Sequence, residues 1–236
     1  MSTALNQIPA ISPSALRHEV VRRLLEAIFR HELEEGTRLI AQKLAKQFGI
    51  SATPVREALL ELELVGVVEF PHNRGAIVKA FGQEQLRDIY HLRRILEAEA
   101  TRCACGHLDK ADLQRLEDTM TGLLQENDGP EWSRVAMESD QELHEAIAEH
   151  CGNPRLADEI RRYNTLIQTA REVAENQHSV QTQALLEHLP IIDALLAGQA
   201  DVAAAQMARH IDSAGKAVAE ILFPDDASPR TEEPGE

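Results

Sequence analysis

The sequence predicts a mainly α-helical protein, in which an N-terminal winged helix-turn-helix with a small β-hairpin wing precedes a C-terminal all-α helical bundle. Two observations predict this fold class. Between residues 39 and 79, two short amphipathic segments enclose a glycine and lead into two strand-like runs. From residue 83 to about residue 223, strand signals disappear and helical spacing takes over. We therefore expect domains at residues 1–79 and 80–223, followed by a disordered tail at 224–236.

The helix-turn-helix pair begins with an amphipathic segment. Its apolar stripe consists of Leu39, Ile40, Leu44 and Phe48. Gly49 can adopt the left-handed conformation that ends many helices, and Ser51 is a favoured N-cap for the helix that follows. An earlier amphipathic segment at residues 14–31 predicts a further helix, which would complete a three-helix core.

The second helix of the pair has an apolar face and a polar, cationic one. Val55, Leu59 and Leu62 recur at helical spacing and are expected to face inward. Thr53 and Arg56 then lie on or near the opposite face, which is the arrangement needed to read the major groove of DNA. Strand-like runs at residues 67–70 and 76–79 enclose residues 72–75, which would form the wing.

These motifs resemble the DNA-binding domain of the GntR family of bacterial transcription regulators. The resemblance rests on SATPVREAL in the second helix, on LELVGVV after it, and on Arg74-Gly75 in the wing. It implies that Arg56 contacts guanine and that further contacts come from Ser51, Thr53, Lys43, Gln42, Arg74 and Gly75. Two positions depart from the family pattern, because many members have basic residues where this chain has Gln42 and Ala52.

Charge is distributed unevenly along the chain, whose net charge is −15. Residues 1–79 contain ten Lys/Arg and nine Asp/Glu, so the acidic excess lies in the remaining residues, which contain 14 and 30. Non-specific DNA affinity comes mainly from neutralised phosphates, so we expect two readers on a homodimer. The sequence has no apolar run of membrane-spanning length and no leader pattern, so we expect a cytoplasmic protein. We expect its three cysteines to be reduced and structural, and the alternative is a redox-sensing role.

The second half of the chain reads as a series of helices. The predicted segments are residues 83–106, 109–126, 132–151, 154–177, 181–197 and 201–222. Gly152 suits a helix C-terminus, Asn153 an N-cap and Pro154 a first helical position.

Four residues in this half predict a metal site. Asp140 and His144 are four residues apart, which places both on one face of a helix. His188 and His210 lie on two later helices, and their separation of 22 residues allows antiparallel helices to bring them to the same depth. Three imidazoles and one carboxylate suit a divalent metal. Taken singly, each histidine is more often a structural residue, but apolar neighbours surround these.

The same residues resemble the FCD effector-binding domain of the FadR-type branch of the GntR family. The resemblance is carried by Asp140-x-x-x-His144, by the following Asn153-Pro154, by Glu187-His188 and by Met207-x-x-His210. It implies that Asp140, His144, His188 and His210 bind a divalent metal, most often zinc or nickel, and that small carboxylates coordinate that metal.

Arg93 is a candidate for binding the effector. It shares a helical stripe with Leu86, Ile89 and Ala100, and Glu97 follows one turn later. Two interpretations stay open. Arg93 and Glu97 form a structural ion pair, or Arg93 grips an effector carboxylate through two parallel hydrogen bonds.

Together these features predict a ligand-responsive bacterial transcription regulator. We expect a repressor that binds a palindromic operator in double-stranded DNA as a homodimer and is released by a small organic acid bound at the metal. One alternative is a regulator that senses the metal itself. The other is a metal-dependent enzyme, which is disfavoured because no acid or base group pairs with the site and because the winged domain would have no role.

Overall fold

Twelve helices and strands make up the part of the chain that the computed structural model describes, which is residues 13–72, 74–125, 129–174 and 178–224. In chain order they are α1 Pro13–Phe29, β1 Arg38–Leu39, α2 Ala41–Phe48, α3 Ala52–Leu64, β2 Val68–Glu69, β3 Ala76–Val78, α4 Gln83–Ala104, α5 Lys110–Leu123, α6 Pro130–His150, α7 Pro154–Val173, α8 His178–Leu196 and α9 Ala200–Leu222. They form two compact units, Met1–Phe81 and Gly82–Glu236. The mainly α fold class is confirmed.

The first unit packs three helices against a small sheet. Helices α1 and α2 both contact α3, and Leu25, Val55 and Leu62 are fully buried in the core they form. The antiparallel sheet has the order β1-β3-β2. In its register Leu39 faces Ala76, and Val68 faces Val78.

Strand β1 corrects one detail of the sequence interpretation. The apolar spacing predicts that Leu39 belongs to the first helix of the pair, but Leu39 pairs with Ala76 of β3, and the extended backbone of Ile40 delays the helix until Ala41. Leu39 is only 4% exposed. An apolar residue is buried in either conformation, so periodicity does not distinguish the two at the edge of a helix.

The turn between α2 and α3 has the predicted chemistry in its backbone. Gly49 is left-handed, with φ of 67°, and the Ile50 N–H donates to the Ala45 carbonyl. Ser51 occupies the N-cap position with an extended backbone, but its side chain makes no capping hydrogen bond.

The second unit is the predicted helical bundle. Helices α4 and α9 pack most extensively, followed by α8 and α9. Between α6 and α7, Gly152 is left-handed and the Asn153 side chain accepts a hydrogen bond from the Leu156 N–H at 3.3 Å. Pro154 is the first residue of α7. These three residues therefore act as predicted.

Two sequence expectations fall largely outside the described residues: Asn73 in the wing, and the tail beyond Pro224. Across the helices described here, none is long and apolar enough to cross a lipid bilayer.

Candidate metal centre

The seven residues predicted to contact DNA are all exposed at the surface of the first unit: Gln42, Lys43, Ser51, Thr53, Arg56, Arg74 and Gly75. Helix α3 buries Val55 and Leu59 against the unit's core, so Thr53 and Arg56 point away from it. Within the described parts of the chain, the charged members of this set make no ion pair. Their charges are therefore free to meet an anion.

In the second unit, three helices bring the four predicted metal ligands together. Asp140 and His144 come from α6, His188 from α8 and His210 from α9. One ligand atom from each residue lies within 4.8 Å of the others. His188 Nε2 is 3.1 Å from His210 Nε2 and 3.5 Å from an Asp140 carboxylate oxygen. All four residues are 9% exposed or less.

Two further carboxylates set the orientation of two of these rings. Glu97 contacts His144 Nδ1, and Glu187 lies 3.0 Å from His210 Nδ1. An ionised carboxylate can only accept, so each Nδ1 carries a proton, and in a neutral ring Nε2 is then the nitrogen that can bind a metal. A carboxylate behind the imidazole is the usual support of a histidine that binds a metal.

His188 provides the test of whether a cation fits. Its ring is fully buried, and Nδ1 has no hydrogen-bond partner among the described residues. With the proton on Nδ1, Nε2 would present a lone pair toward the Nε2 lone pair of His210, and a cation between them satisfies both. The donor set therefore fits a divalent metal.

The electrostatics favour the protonation states that a metal needs. Burial lowers the pKa of His188 well below its usual range and also lowers the pKa of His210, so both imidazoles are neutral at pH 7. Burial alone would raise the pKa of Asp140. The Arg171 guanidinium opposes burial and, together with the neighbouring imidazoles of His144 and His188, holds the pKa of Asp140 well below its usual range.

Glu97 is the most deeply buried carboxylate beside the site. Burial opposes its ionisation, but the Arg93 guanidinium and the contact with His144 outweigh burial and lower the pKa of Glu97 to about 2. The Arg93 Nε donates to a Glu97 oxygen at 2.8 Å. The structural Arg-Glu pair left open by the sequence is therefore present, and Arg93 is only 7% exposed.

Sequence reasoning missed Arg171. Its guanidinium donates to both Asp140 oxygens, at 2.6 and 3.1 Å, from the adjacent helix α7. The spacing that identified Arg93 also applies to Arg171, because Arg171 continues the apolar stripe of Ile160 and Ile167 at helical spacing.

Arg171 also lines two cavities. One, of about 30 Å³, is bordered by Arg93, Asp140 and His144 and is large enough to hold water. The other, of about 180 Å³, is bordered by Glu187 and Ser213.

Comparison with known proteins assigns both units. Residues 88–213 match the family described as "FCD domain", and residues 16–78 match "Bacterial regulatory proteins, gntR family". The chain is 27% identical over 192 residues to the Nta operon transcriptional regulator of Aminobacter aminovorans, covering 81% of this chain and 89% of the relative.

Two further relatives extend the comparison. The HTH-type transcriptional repressor RspR of Escherichia coli is 23% identical over 214 residues, which is 89% of this chain and 92% of that protein. The solved structure of E. coli McbR/YncC superposes with a TM-score of 0.60 at 24% identity, over 86% of this chain and 95% of that chain. At that identity the superposition supports the fold alone.

Proposed function

Because this chain belongs to the gntR family of bacterial regulatory proteins and carries an FCD domain, we propose that it is a dimeric repressor controlled by a metal and a small acid. As a member of this family it is a transcriptional regulator and not an enzyme. In the proposed mechanism it leaves a palindromic operator when a small organic acid binds beside a divalent metal in the bundle.

The observation that carries this proposal is the convergence of Asp140, His144, His188 and His210 within 4.8 Å in a chain that also has a DNA-binding unit. A buried polar cluster of this kind is costly unless its groups are satisfied. In a regulator such a cluster can serve as a signal-binding site, because a ligand that binds one state of the protein more tightly than the other shifts the equilibrium between them.

Zinc or nickel would bind to the Asp140 carboxylate and to one nitrogen each of His144, His188 and His210. Both metals accept imidazole and carboxylate ligands. The bound metal would supply a positive charge with positions left for oxygen ligands. Glu97 and Glu187 would hold two of the rings in the required orientation from behind.

The acid would be recognised by a guanidinium next to the metal ligands. Arg93 and Arg171 both line the small cavity of about 30 Å³. A carboxylate that enters it would displace Arg171 from Asp140, because Arg171 also borders the cavity of about 180 Å³ and so has space behind it. Movement of Arg171 away from Asp140 would couple acid binding to the contact between α6 and α7.

Operator binding would use two copies of the first unit. Arg56 and Thr53 would enter the major groove with α3. Near the groove would lie Ser51, Gln42 and Lys43. Arg74 and Gly75 would extend from the wing. A palindrome matches a two-fold dimer. The −15 net charge also favours two readers, because one would be held weakly. The similarity to the repressor RspR supports repression.

A metal-sensing regulator is the second candidate. It is favoured by the pairing of both Asp140 oxygens with Arg171, because a cation at Asp140 would compete for this pair without any acid. In that case the metal alone would change operator affinity.

The test uses the full-length protein and a duplex selected from a random DNA pool. Fluorescence anisotropy would measure duplex affinity for chelator-treated, zinc-loaded and nickel-loaded protein, each with and without a panel of short mono-, di- and hydroxycarboxylates. The proposal expects an acid to weaken binding only when metal is present. Weakening by metal alone would favour the sensor, and an acid effect that survives chelation would contradict both.

A further inference from the structure

The unpredicted strand β1 places an arginine beside the wing. Arg38 pairs with Ile77 of β3, so the sheet holds it next to the wing residue Gly75. A Cβ built on Gly75 would lie 3.8 Å from Arg38 Nε and 3.9 Å from Nη2. The Arg38 guanidinium therefore lies against the wing, although its residue precedes the wing by more than thirty positions.

Arg38 also lines a cleft of about 380 Å³ between α3 and the wing. Only two of its lining residues are charged, and both are arginines, Arg38 and Arg56. The remaining wall is largely apolar, including Leu60 and Phe70, and contains no acidic residue. Both arginine residues are exposed, and neither has an ion-pair partner in the described part of the chain. The cleft is thus an apolar surface that carries two arginines and no acidic residue.

The path of DNA past a winged helix gives this cleft an occupant. When α3 lies in the major groove and the wing reaches the adjacent minor groove, the sugar-phosphate strand that separates the grooves must pass between them. That strand carries a negative charge on every phosphate. In that arrangement Arg38, which the sheet holds beside Gly75 of the wing, would lie on the path of this strand.

We propose that Arg38 binds a phosphate of the operator strand that runs between α3 and the wing. The inference rests on the proposed function of the first unit as an operator reader, and it adds a DNA-contacting residue that the sequence did not reveal. It also supplies a cation from the sheet in a chain with uncharged Gln42 and Ala52 at positions that are often basic. A phosphate contact positions the protein without reading bases.

The experiment measures the salt dependence of binding from 50 to 200 mM NaCl for the full-length protein. The probes are a duplex selected from a random pool by the wild type and a scrambled duplex of the same composition. The variants are Arg38→Ala, Arg38→Lys and the control Arg30→Ala. Arg30 is an exposed arginine of the same unit that does not line the cleft and has no ion pair among the described residues.

A phosphate contact gives a specific pattern. Arg38→Ala should weaken binding to both duplexes by the same factor and reduce the slope of log K against log salt by about one for each winged unit bound. Arg38→Lys should retain most of the slope, since an ammonium also binds phosphate. Arg30→Ala should match the wild type.

Two results would overturn the inference. One is an Arg38→Ala slope equal to those of the wild type and Arg30→Ala. The other is loss of preference for the selected duplex at unchanged slope, which would indicate base reading. In both cases the wild type still selects DNA, so the proposed function survives. If the wild type selects no duplex, the proposed function fails and the inference with it. Thermal unfolding of each variant checks folding, and Arg38→Gln replaces Arg38→Ala if the latter is unstable.

Discussion

The two units of this protein use their cationic side chains in opposite ways. In the first, the ion pairs within the described residues are made by arginines of α1, such as Arg17 with Glu61, while Arg38, Arg56 and Arg74 have none. In the bundle most arginines are paired, including the buried Arg93 and the largely buried Arg171. An exposed, unpaired cation costs little and stays available to phosphate, whereas a buried one requires a partner.

The buried histidines of the described residues all lie in the bundle, where carboxylates and other imidazoles surround His188 and His210, whereas His31 and His72 of the first unit are exposed. Burial keeps a ring neutral, so this buried cluster offers nitrogen lone pairs. The first unit therefore offers cationic groups to an anion, and the bundle offers ligands to a cation. The following changes test whether DNA binding and metal binding can be altered separately.

The largest effect is expected from His188→Gln, which removes a central ligand at similar volume. Zinc affinity, measured by competition with a chromophoric chelator, should fall by more than about 100-fold, since loss of an outer carboxylate alone costs about 10–100-fold. The matched control is His150→Gln at an exposed position of α6, where Nδ1 lies 2.9 Å from the Ala146 carbonyl oxygen. Equal zinc affinity in the two variants would contradict the assignment of the site.

Next in size is Arg56→Ala, which acts on the other unit. Preference for the selected duplex over a scrambled one should fall about 5- to 150-fold per winged unit, because a bidentate contact to guanine contributes about 1–3 kcal/mol. Zinc affinity should not change. Arg209→Ala removes an exposed, unpaired charge from the described part of the bundle and should leave DNA preference intact. An unchanged footprint for Arg56→Ala would remove α3 from the recognition surface.

A smaller effect on the metal is expected from Glu187→Gln. The amide can still accept from His210 Nδ1, but it lacks the charge that makes the ring a better ligand, so zinc affinity should fall about 10–100-fold. The same competition assay measures it, with Glu84→Gln at an exposed position of α4 as the control. If both variants bind zinc like the wild type, Glu187 supports only the helix contact.

The last change acts on the packing of the bundle and not on binding. A Cβ on Gly215 of α9 would lie 2.6–2.9 Å from three Tyr90 side-chain atoms, and Tyr90 is only 4% exposed. Gly215→Ala should therefore lower the free energy of unfolding of the bundle by about 1–3 kcal/mol. Gly122→Ala on α5, where nothing lies within 4 Å, should be neutral or stabilising by up to about 1 kcal/mol. Calorimetry that shows equal shifts would contradict the close approach.

Local patterns in the sequence predicted the elements and the candidate site to different degrees. Helical spacing was sufficient for the helices and for the juxtaposition of Asp140 with His144, because both depend on neighbours in sequence. The two-residue strand β1 was missed, since so short a strand has no periodicity, and Arg38 was missed with it. Arg171 contacts Asp140 across 31 positions, a separation that only the packing of α7 on α6 brings together.

The supporting carboxylates show the same limit. Arg93 and Glu97 are four positions apart, so helical spacing predicts their pairing. The contact of Glu97 with His144 joins residues 47 positions apart, which helical spacing does not predict. Glu187 was visible only as a neighbour of His188. Its role behind His210 follows from the antiparallel packing of α8 on α9.

The most direct test of the central claim measures operator affinity while zinc-loaded protein is titrated with the acid panel. Wild type and His188→Gln are compared by fluorescence anisotropy on the selected duplex. The account predicts that at least one acid weakens binding by the wild type and leaves His188→Gln bound. Equal release of both proteins, or release of neither by any acid or metal, would contradict a metal site in the bundle that controls the DNA-binding unit.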